Sequence, residues 1–320
     1  MLTFGQHAPG AALPPPAPSW AGVGTCTLPQ TALAAEQLAP RRLSYHMLAL
    51  TTAGHGTVEV DFQSRACRPG TLLWVRPGQA VRFGGQPGLD AAIITWEPDL
   101  LSADQIPGVP VDEPGGPDRW QLAGEDEDAV ISEFAQLAVD CDRHSSPSTT
   151  NGVVAAALLR HQLAVLLLRI ALLAGETTVD SDSAEGRTFT RFRRALEKGH
   201  SQSRRVEDYA ARLGCSVRTL TRASLAVTGR TAKQVVDDRV ALEARRLLAC
   251  TPLSVAEIGR RLGFTEPTNF GRFFHREAGQ SPGAFRTAQG GPAADGPPVN
   301  GPARGSTGRG RVPAQRSPAD

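Results

Sequence analysis

The feature that most constrains this chain is an internal repeat in its C-terminal third. Val206-Glu-Asp-Tyr-Ala-Ala-Arg-Leu-Gly214 reads alongside Val255-Ala-Glu-Ile-Gly-Arg-Arg-Leu-Gly263. Val206/Val255, Arg212/Arg261, Leu213/Leu262 and Gly214/Gly263 match at one offset, and Arg222/Arg272 and Gly229/Gly279 match one residue further out. The chain therefore holds one supersecondary unit twice, with a single residue inserted after the glycine. Each unit has the logic of a helix-turn-helix. A small residue, Ala210 or Gly259, lies where a second helix must cross closely. Four residues on, Gly214 or Gly263 permits the left-handed backbone of a tight turn. Ser216 and Thr265 read as caps that open the second helices, and Pro267 fits an early helical position. Between the units, residues 231–250 read as one long helix with Val235, Val236, Val240, Leu242, Leu247 and Leu248 as apolar positions. Such a rod would hold the two second helices apart, and successive major-groove faces of DNA lie about 34 Å apart.

Charge points the same way. The whole chain has a net charge of only +2. Residues 1–186, however, carry 10 Lys+Arg against 21 Asp+Glu, and residues 187–287 carry 20 against 9. An acidic half of −11 joined to a basic segment of +11 implies that the basic segment meets a polyanion. A basic helical bundle with no nucleic-acid partner is the alternative, and the doubled glycine turn argues against it.

The rest of the chain is organised differently. Residues 1–25 read as a flexible arm, with Pro14 to Pro18 unable to form a helix. Residues 26–125 read as a small β-barrel or sandwich. Residues 57–62 alternate, placing Val58, Val60 and Phe62 on one face; further strands are expected at 71–75, 79–83 and 90–96, between Gly/Pro turns. Residues 126–175 read as two helices. In the second, Leu159, Leu163, Leu166, Ile170 and Leu173 recur at steps of 4, 3, 4 and 3, the seam of a coiled coil. That seam is expected to make a dimer, with burial against its own domain as the alternative. Residues 176–187 read as a polar linker, and residues 288–320 hold too little apolar surface to order themselves. The apolar stretch near residues 163–174 is interrupted by Arg169, from which no spanning helix is expected. No basic-then-apolar segment opens the chain, which argues against a secretory signal. Five cysteines, Cys26, Cys67, Cys141, Cys215 and Cys250, lie far apart without CxxC spacing, so neither a disulfide framework nor a zinc cluster is indicated.

With these residues in view, the segment from Thr188 to Thr287 resembles the AraC/XylS family of bacterial transcription regulators. The second unit carries the likeness most specifically, through Gly263-Phe264, Phe270, Phe273-Phe274, Gly279-x-Ser281-Pro282 and Phe285-Arg286. Gly259 stands where alanine is usual, Ala223-Ser224 replace a Met/Phe-Phe type pair, and Thr231-Ala232 replace Ser-Pro. Residues 43–97 resemble, more softly, the cupin-like sensor barrel of that family. The resemblance implies a two-domain α+β protein. Its N-terminal barrel takes a small-molecule effector, its helical segment dimerises, and its C-terminal all-α domain at 188–287 binds double-stranded DNA. It implies a cytoplasmic homodimer, an activator meeting RNA polymerase, with no membrane, no cofactor and no catalytic residues. Metal-binding cupins need a His-x-His with a glutamate close behind. His46 and His55 stand apart, so no metal site is expected and His46 reads as a packed strand histidine.

Within each unit the start of the second helix points into the groove. Val217, Arg218, Thr221 and Arg222, then Glu266, Pro267, Thr268 and Arg272, are the expected base-reading positions, arginine being able to contact guanine O6 and N7 bidentately. Arg204, Arg205, Arg260, Arg261, His275 and Arg276 are the expected phosphate contacts. A cupin-type enzyme fused to a DNA-binding domain, and a regulator without a small ligand, stand as alternatives.

Overall fold

The computed structural model describes residues 21–28, 39–84, 88–109, 111, 116–144, 151–174 and 183–292. Most of the arm, most of the linker and the greater part of the tail lie outside these. In chain order the strands are β1 (Val23–Thr27), β2 (Arg41–Arg42), β3 (His46–Ala53), β4 (Gly56–Val60), β5 (Gln63–Cys67), β6 (Thr71–Val75), β7 (Ala80–Phe83), β8 (Asp90–Trp96) and β9 (Arg119–Gln121). The helices are α1 (Glu125–Arg143), α2 (Gly152–Ala174), α3 (Ala184–Gly199), α4 (Val206–Leu213), α5 (Val217–Thr228), α6 (Ala232–Cys250), α7 (Val255–Arg261), α8 (Pro267–Ala278) and α9 (Pro282–Ala288). The end of the expected arm is thus a strand, β1, paired antiparallel with β8. The end of the expected linker belongs to α3.

The strands form two antiparallel sheets, ordered β1-β8-β3-β6-β9 and β2-β7-β4-β5. Alternation sorts their side chains. Met47, Ala49, Leu73, Val75 and Ile93 face Val58, Val60, Val81 and Phe83 across the interior. Leu48, Leu50, Leu72, Trp74, Ile94 and Trp96 face the other way, onto α1 and α2. The middle strands of the larger sheet are therefore buried on both faces and read as continuous apolar runs. His46 lies on the helix-facing side. It is fully buried, accepts a hydrogen bond from Trp74 Nε1 at 3.2 Å, and stacks on Trp96 with ring centroids 4.8 Å apart. Burial, with Arg76 nearby, pushes its pKa down to about 3.

Three expectations need correction here. The seam of Leu159, Leu163, Leu166 and Ile170 is at most 1% exposed, because it packs on Phe134 and the sheet of its own chain; Leu173 packs beside it, half-buried. A sheet with one uncovered apolar face needs that stripe for its own core, so it is not a dimer surface. Second, the segment Gly152–Leu173 spans 22 residues and is long and apolar enough to cross a membrane, with Arg160 and Arg169 inside it. Here it lies against α1 and the sheet. Third, Phe62 does not share a face with Val58 and Val60. β4 ends at Val60, and Asp61 and Phe62 turn the chain at φ 52° and 66°.

The C-terminal domain is a single core in which α6 runs between the two helix pairs α4–α5 and α7–α8. Val236, Val240, Ala244 and Leu248 of α6 are buried among Tyr209, Leu220, Ile258, Phe270 and Phe274. Thr231 and Gln234 close a reciprocal capping box that starts α6.

Candidate nucleic-acid interface

Both turns have the geometry the repeat requires. Gly214 and Gly263 take φ of 64° and 76°, a left-handed conformation that glycine adopts without steric penalty. Ser216 caps α5 by accepting from the Thr219 N–H. In the second unit the cap is Glu266, without a side-chain hydrogen bond, and Pro267 opens the helix; the capping role expected for Thr265 is corrected accordingly. A Cβ on Gly259 would come within 3.1 Å of Phe270 Cβ, so the second unit crosses more tightly than alanine comfortably permits. That accounts for glycine where the family has alanine. The closing Phe285-Arg286 is structural as well. Phe285 meets Phe274 with centroids 5.5 Å apart, and Arg286 donates to the carbonyls of Leu248 and Leu253, at the end of α6 and just beyond it.

The expected base-reading residues stand together on the outer sides of α5 and α8. Val217, Arg218, Arg222, Glu266, Pro267, Thr268 and Arg272 are exposed, and Thr221 is half-buried. Arg222 is not idle, since its Nε lies 3.3 Å from Glu185 at the start of α3. Of the expected phosphate contacts, Arg205, Arg260, Arg261, His275 and Arg276 are exposed. Arg204 is different. Its guanidinium lies 3.6 Å above the Phe264 ring centroid and donates to the Gly263 carbonyl at 3.1 Å. Burial lowers its pKa. It braces the second unit's turn from the first.

A cleft of about 650 Å³ opens between the start of α6 and α8, lined by Arg204, Arg230, Lys233, Arg272 and Arg276 among others. Arg230 and Lys233 were missed by a reading confined to the helix pairs. Their signal was present, two cations flanking the Thr231 cap, where a helix N-terminus adds positive potential. Asp238 and Asp237 hold them, Arg230 Nε reaching Asp238 at 2.8 Å. Among the described residues no group of three or more His, Cys, Asp or Glu could hold a metal ion.

A two-sheet domain joined to two spaced helix-turn-helix units is the build of a transcription regulator. The comparisons agree with it. The helix-turn-helix domain family matches residues 209–288, and the AraC-like ligand binding domain family matches residues 33–122. The chain belongs to the AraC/XylS family of sequence-specific DNA-binding regulators. It is similar to the HTH-type transcriptional activator RhaS of Salmonella schwarzengrund (strain CVM19633), 26% identical over 244 residues, covering 74% of this chain and 84% of the relative. Among solved structures it is similar to ToxT from Vibrio cholerae O395, at 10% identity and TM-score 0.43, covering 83% of this chain and 96% of that one. It is also similar to the DNA-binding domain of AdpA in complex with a target DNA, at 37% identity and TM-score 0.29, covering 32% of this chain and 90% of that one.

Proposed function

We propose that this regulator is a cytoplasmic activator whose N-terminal domain takes a small-molecule effector. Its C-terminal domain reads two successive major grooves and meets RNA polymerase when bound. The observation that carries this reading is the pair of glycine-turned units, each presenting an arginine-bearing second helix on a segment of net charge +11. Activation is supported by the name of the RhaS relative, and a regulatory rather than enzymatic role by the same match. In this reading Arg218, Arg222, Thr268 and Arg272 contact bases. Arg205, Arg260, Arg261, His275 and Arg276 contact phosphates, joined by Arg230 and Lys233 from the basic cleft. With about 5 to 7 phosphates engaged, log K should fall against log[salt] with a slope of roughly −4 to −6. Titration of a labelled operator library with the full chain across salt concentrations measures this. A salt-insensitive interaction, or none, rejects the reading.

The regulator is further proposed to be a homodimer, through the outward face of α2. Val154, Leu158, Val165 and Leu172 are exposed there, and with His161 and Leu168 they continue a 4-3-4-3-4 spacing. Two antiparallel copies would bury that stripe in an isologous contact. Sedimentation of a Leu158→Glu, Leu172→Glu variant should show monomer; a wild type already monomeric rejects the dimer.

A further inference from the structure

The two domains touch through a contact between the tip of one hairpin and one face of α6. Asp61 and Phe62, at the tip of the β4–β5 hairpin, are the two non-glycine residues with positive φ among the described residues. Asp61 is fixed on its own side by Gln79 Nε2 at 2.8 Å and the Ala80 N–H at 3.0 Å. It then takes a two-pronged hydrogen bond from Arg246 of α6, at 2.8 Å from Nε and 2.7 Å from Nη2. One turn earlier on α6, Glu243 accepts from Arg42 of β2 at 2.6 Å and from Arg239 at 3.2 Å. Phe62 leaves its sheet and meets Phe285 edge-on, with centroids 5.3 Å apart. A cleft of about 730 Å³ beside this contact is lined from both domains, with Asp61 and Arg246 in its wall.

The charges are sheltered. Arg246 and Glu243 keep 9% of their side-chain surface. Burial disfavours the Arg246 cation, yet the hydrogen bond and charge of Asp61 outweigh it and raise its pKa. Burial likewise disfavours the Glu243 anion, and Arg42 and Arg239 overcome that. Removing one partner while the domains stay together leaves the other charge buried and unpaired, so the contact is sensitive to a change on either side. The turn is also tied to the sheet interior, since Val58 and Val60, immediately before Asp61, point between the two sheets.

We propose that the β4–β5 turn is an autoinhibitory latch. It clasps α6, the helix that spaces the two reading units, and holds the acidic half of the chain against the basic half, weakening DNA binding until the turn lets go. The recognition faces of α5 and α8 are exposed with the latch closed. It therefore acts by charge and posture, keeping a domain of net −11 within the field of the approaching phosphates, and not by covering the reading surface. Displacement of Val58 and Val60 from within the sheets is the route by which an occupant of the N-terminal domain would open it. The inhibitory role rests on the DNA-binding reading above.

The test uses the full chain with Asp61→Asn. Asparagine is at home in left-handed backbone and keeps an oxygen for the Ala80 N–H, so the turn survives while the charge is lost. Small-angle scattering should show a larger radius of gyration. Affinity for double-stranded DNA at low salt should rise by about 5- to 10-fold, an electrostatic gain that shrinks as salt is added. Glu59→Gln removes the same charge from β4, where its partner is Arg82 of the same domain, and should change neither quantity. Asp61→Asn with Arg246→Met should open the protein no further than the single change, since both sever one contact. Unchanged dimensions, opening without tighter DNA binding, or an equal gain from Glu59→Gln each overturn the latch. If neither wild type nor variant binds DNA at any salt, the DNA-binding reading fails and the inhibitory role with it; scattering then still reports whether the clasp exists.

Discussion

The two helix-turn-helix units share a backbone plan and fill it with different matter. In the second unit the core is aromatic, with Phe264, Phe270, Phe273, Phe274 and Phe285 touching in a chain of rings whose centroids lie 5.2–6.0 Å apart. In the first, the positions equivalent to Phe270, Phe273 and Phe274 are Leu220, Ala223 and Ser224, all buried. Ser224 turns its hydroxyl back to the Leu220 carbonyl at 2.8 Å, so no polar group is stranded. The missing volume comes from outside the unit. Helix α3 packs on α5 and brings Phe189 and Phe192 into the same core, Phe192 meeting Tyr209 edge-on. A repeat thus keeps its turn more strictly than its side-chain volume, because a preceding helix can lend volume but cannot lend a left-handed glycine.

That contrast is tested most strongly by Phe274→Ala. Phe274 is fully buried between Phe270 and Phe285, and its loss should cost about 3–5 kcal/mol, read by denaturant unfolding. The converse change, Ala223→Phe, makes the first unit resemble the second in sequence and should destabilise by about 1–3 kcal/mol, because α3 already occupies the space. A stabilising Ala223→Phe would mean that the first unit is underfilled and the comparison misdrawn.

How much of this was legible depends on where each signal resides. The turns, the second helix of each unit and α6 could be placed from sequence because glycine, proline and helical period are local. Strands β6 and β8 were found to the residue for the same reason. What could not be read was which partner a face would meet. The stripe of Leu159, Leu163, Leu166 and Ile170 has the spacing of a coiled coil, and the spacing is identical whether the stripe meets another copy or the outer face of a sheet. Phe62 continues the alternation of Val58 and Val60 in sequence, and only the two left-handed residues at the hairpin tip send it to the other domain. Strand β1, with Gly24 inside a short polar run, has no periodic pattern to announce it, and pairing with β8 supplies what propensity does not. At the interface, arginines were legible as cations, but Arg204 was not legible as a brace, because the ring it covers lies about 60 residues away.

The next largest effect separates the two kinds of arginine. Arg218 opens α5, and Arg261 ends α7, the helix that precedes the second unit's turn. Arg218→Ala should relax preference at one operator position and cost about 1–3 kcal/mol on the preferred sequence, with little change on random DNA. Arg261→Ala should weaken all sequences alike and reduce the salt slope by about 1. Selection from a randomised operator pool with both variants decides it. Uniform loss from Arg218→Ala would place α5 on the backbone rather than in the groove, and the two units would then differ in docking as well as in filling.

The smallest effects test what the repeat holds constant. Gly214 and Gly263 occupy left-handed backbone, so an alanine at either should cost about 1–2 kcal/mol in strain, and by nearly the same amount in both units despite their different cores. Neither site is crowded: a Cβ on Gly214 meets nothing within 4 Å, and one on Gly263 meets only the Ser201 carbonyl oxygen at 3.7 Å. Gly259 is the opposite case. It lies inside α7, where alanine is favoured over glycine by about 1 kcal/mol, but its Cβ would press on Phe270 Cβ at 3.1 Å. The two terms oppose, and Gly259→Ala should change stability by less than either turn substitution. The first unit already carries Ala210 at this position, opposite the slimmer Leu220. The closest contacts at Gly259 are to Phe270 Cβ and Cγ, atoms that leucine keeps, so pairing Gly259→Ala with Phe270→Leu leaves the crowding in place and the double variant should lose close to the two single losses added together. A double variant that loses clearly less would show that Gly259 makes room for the ring itself and not for the close approach of α8 to α7.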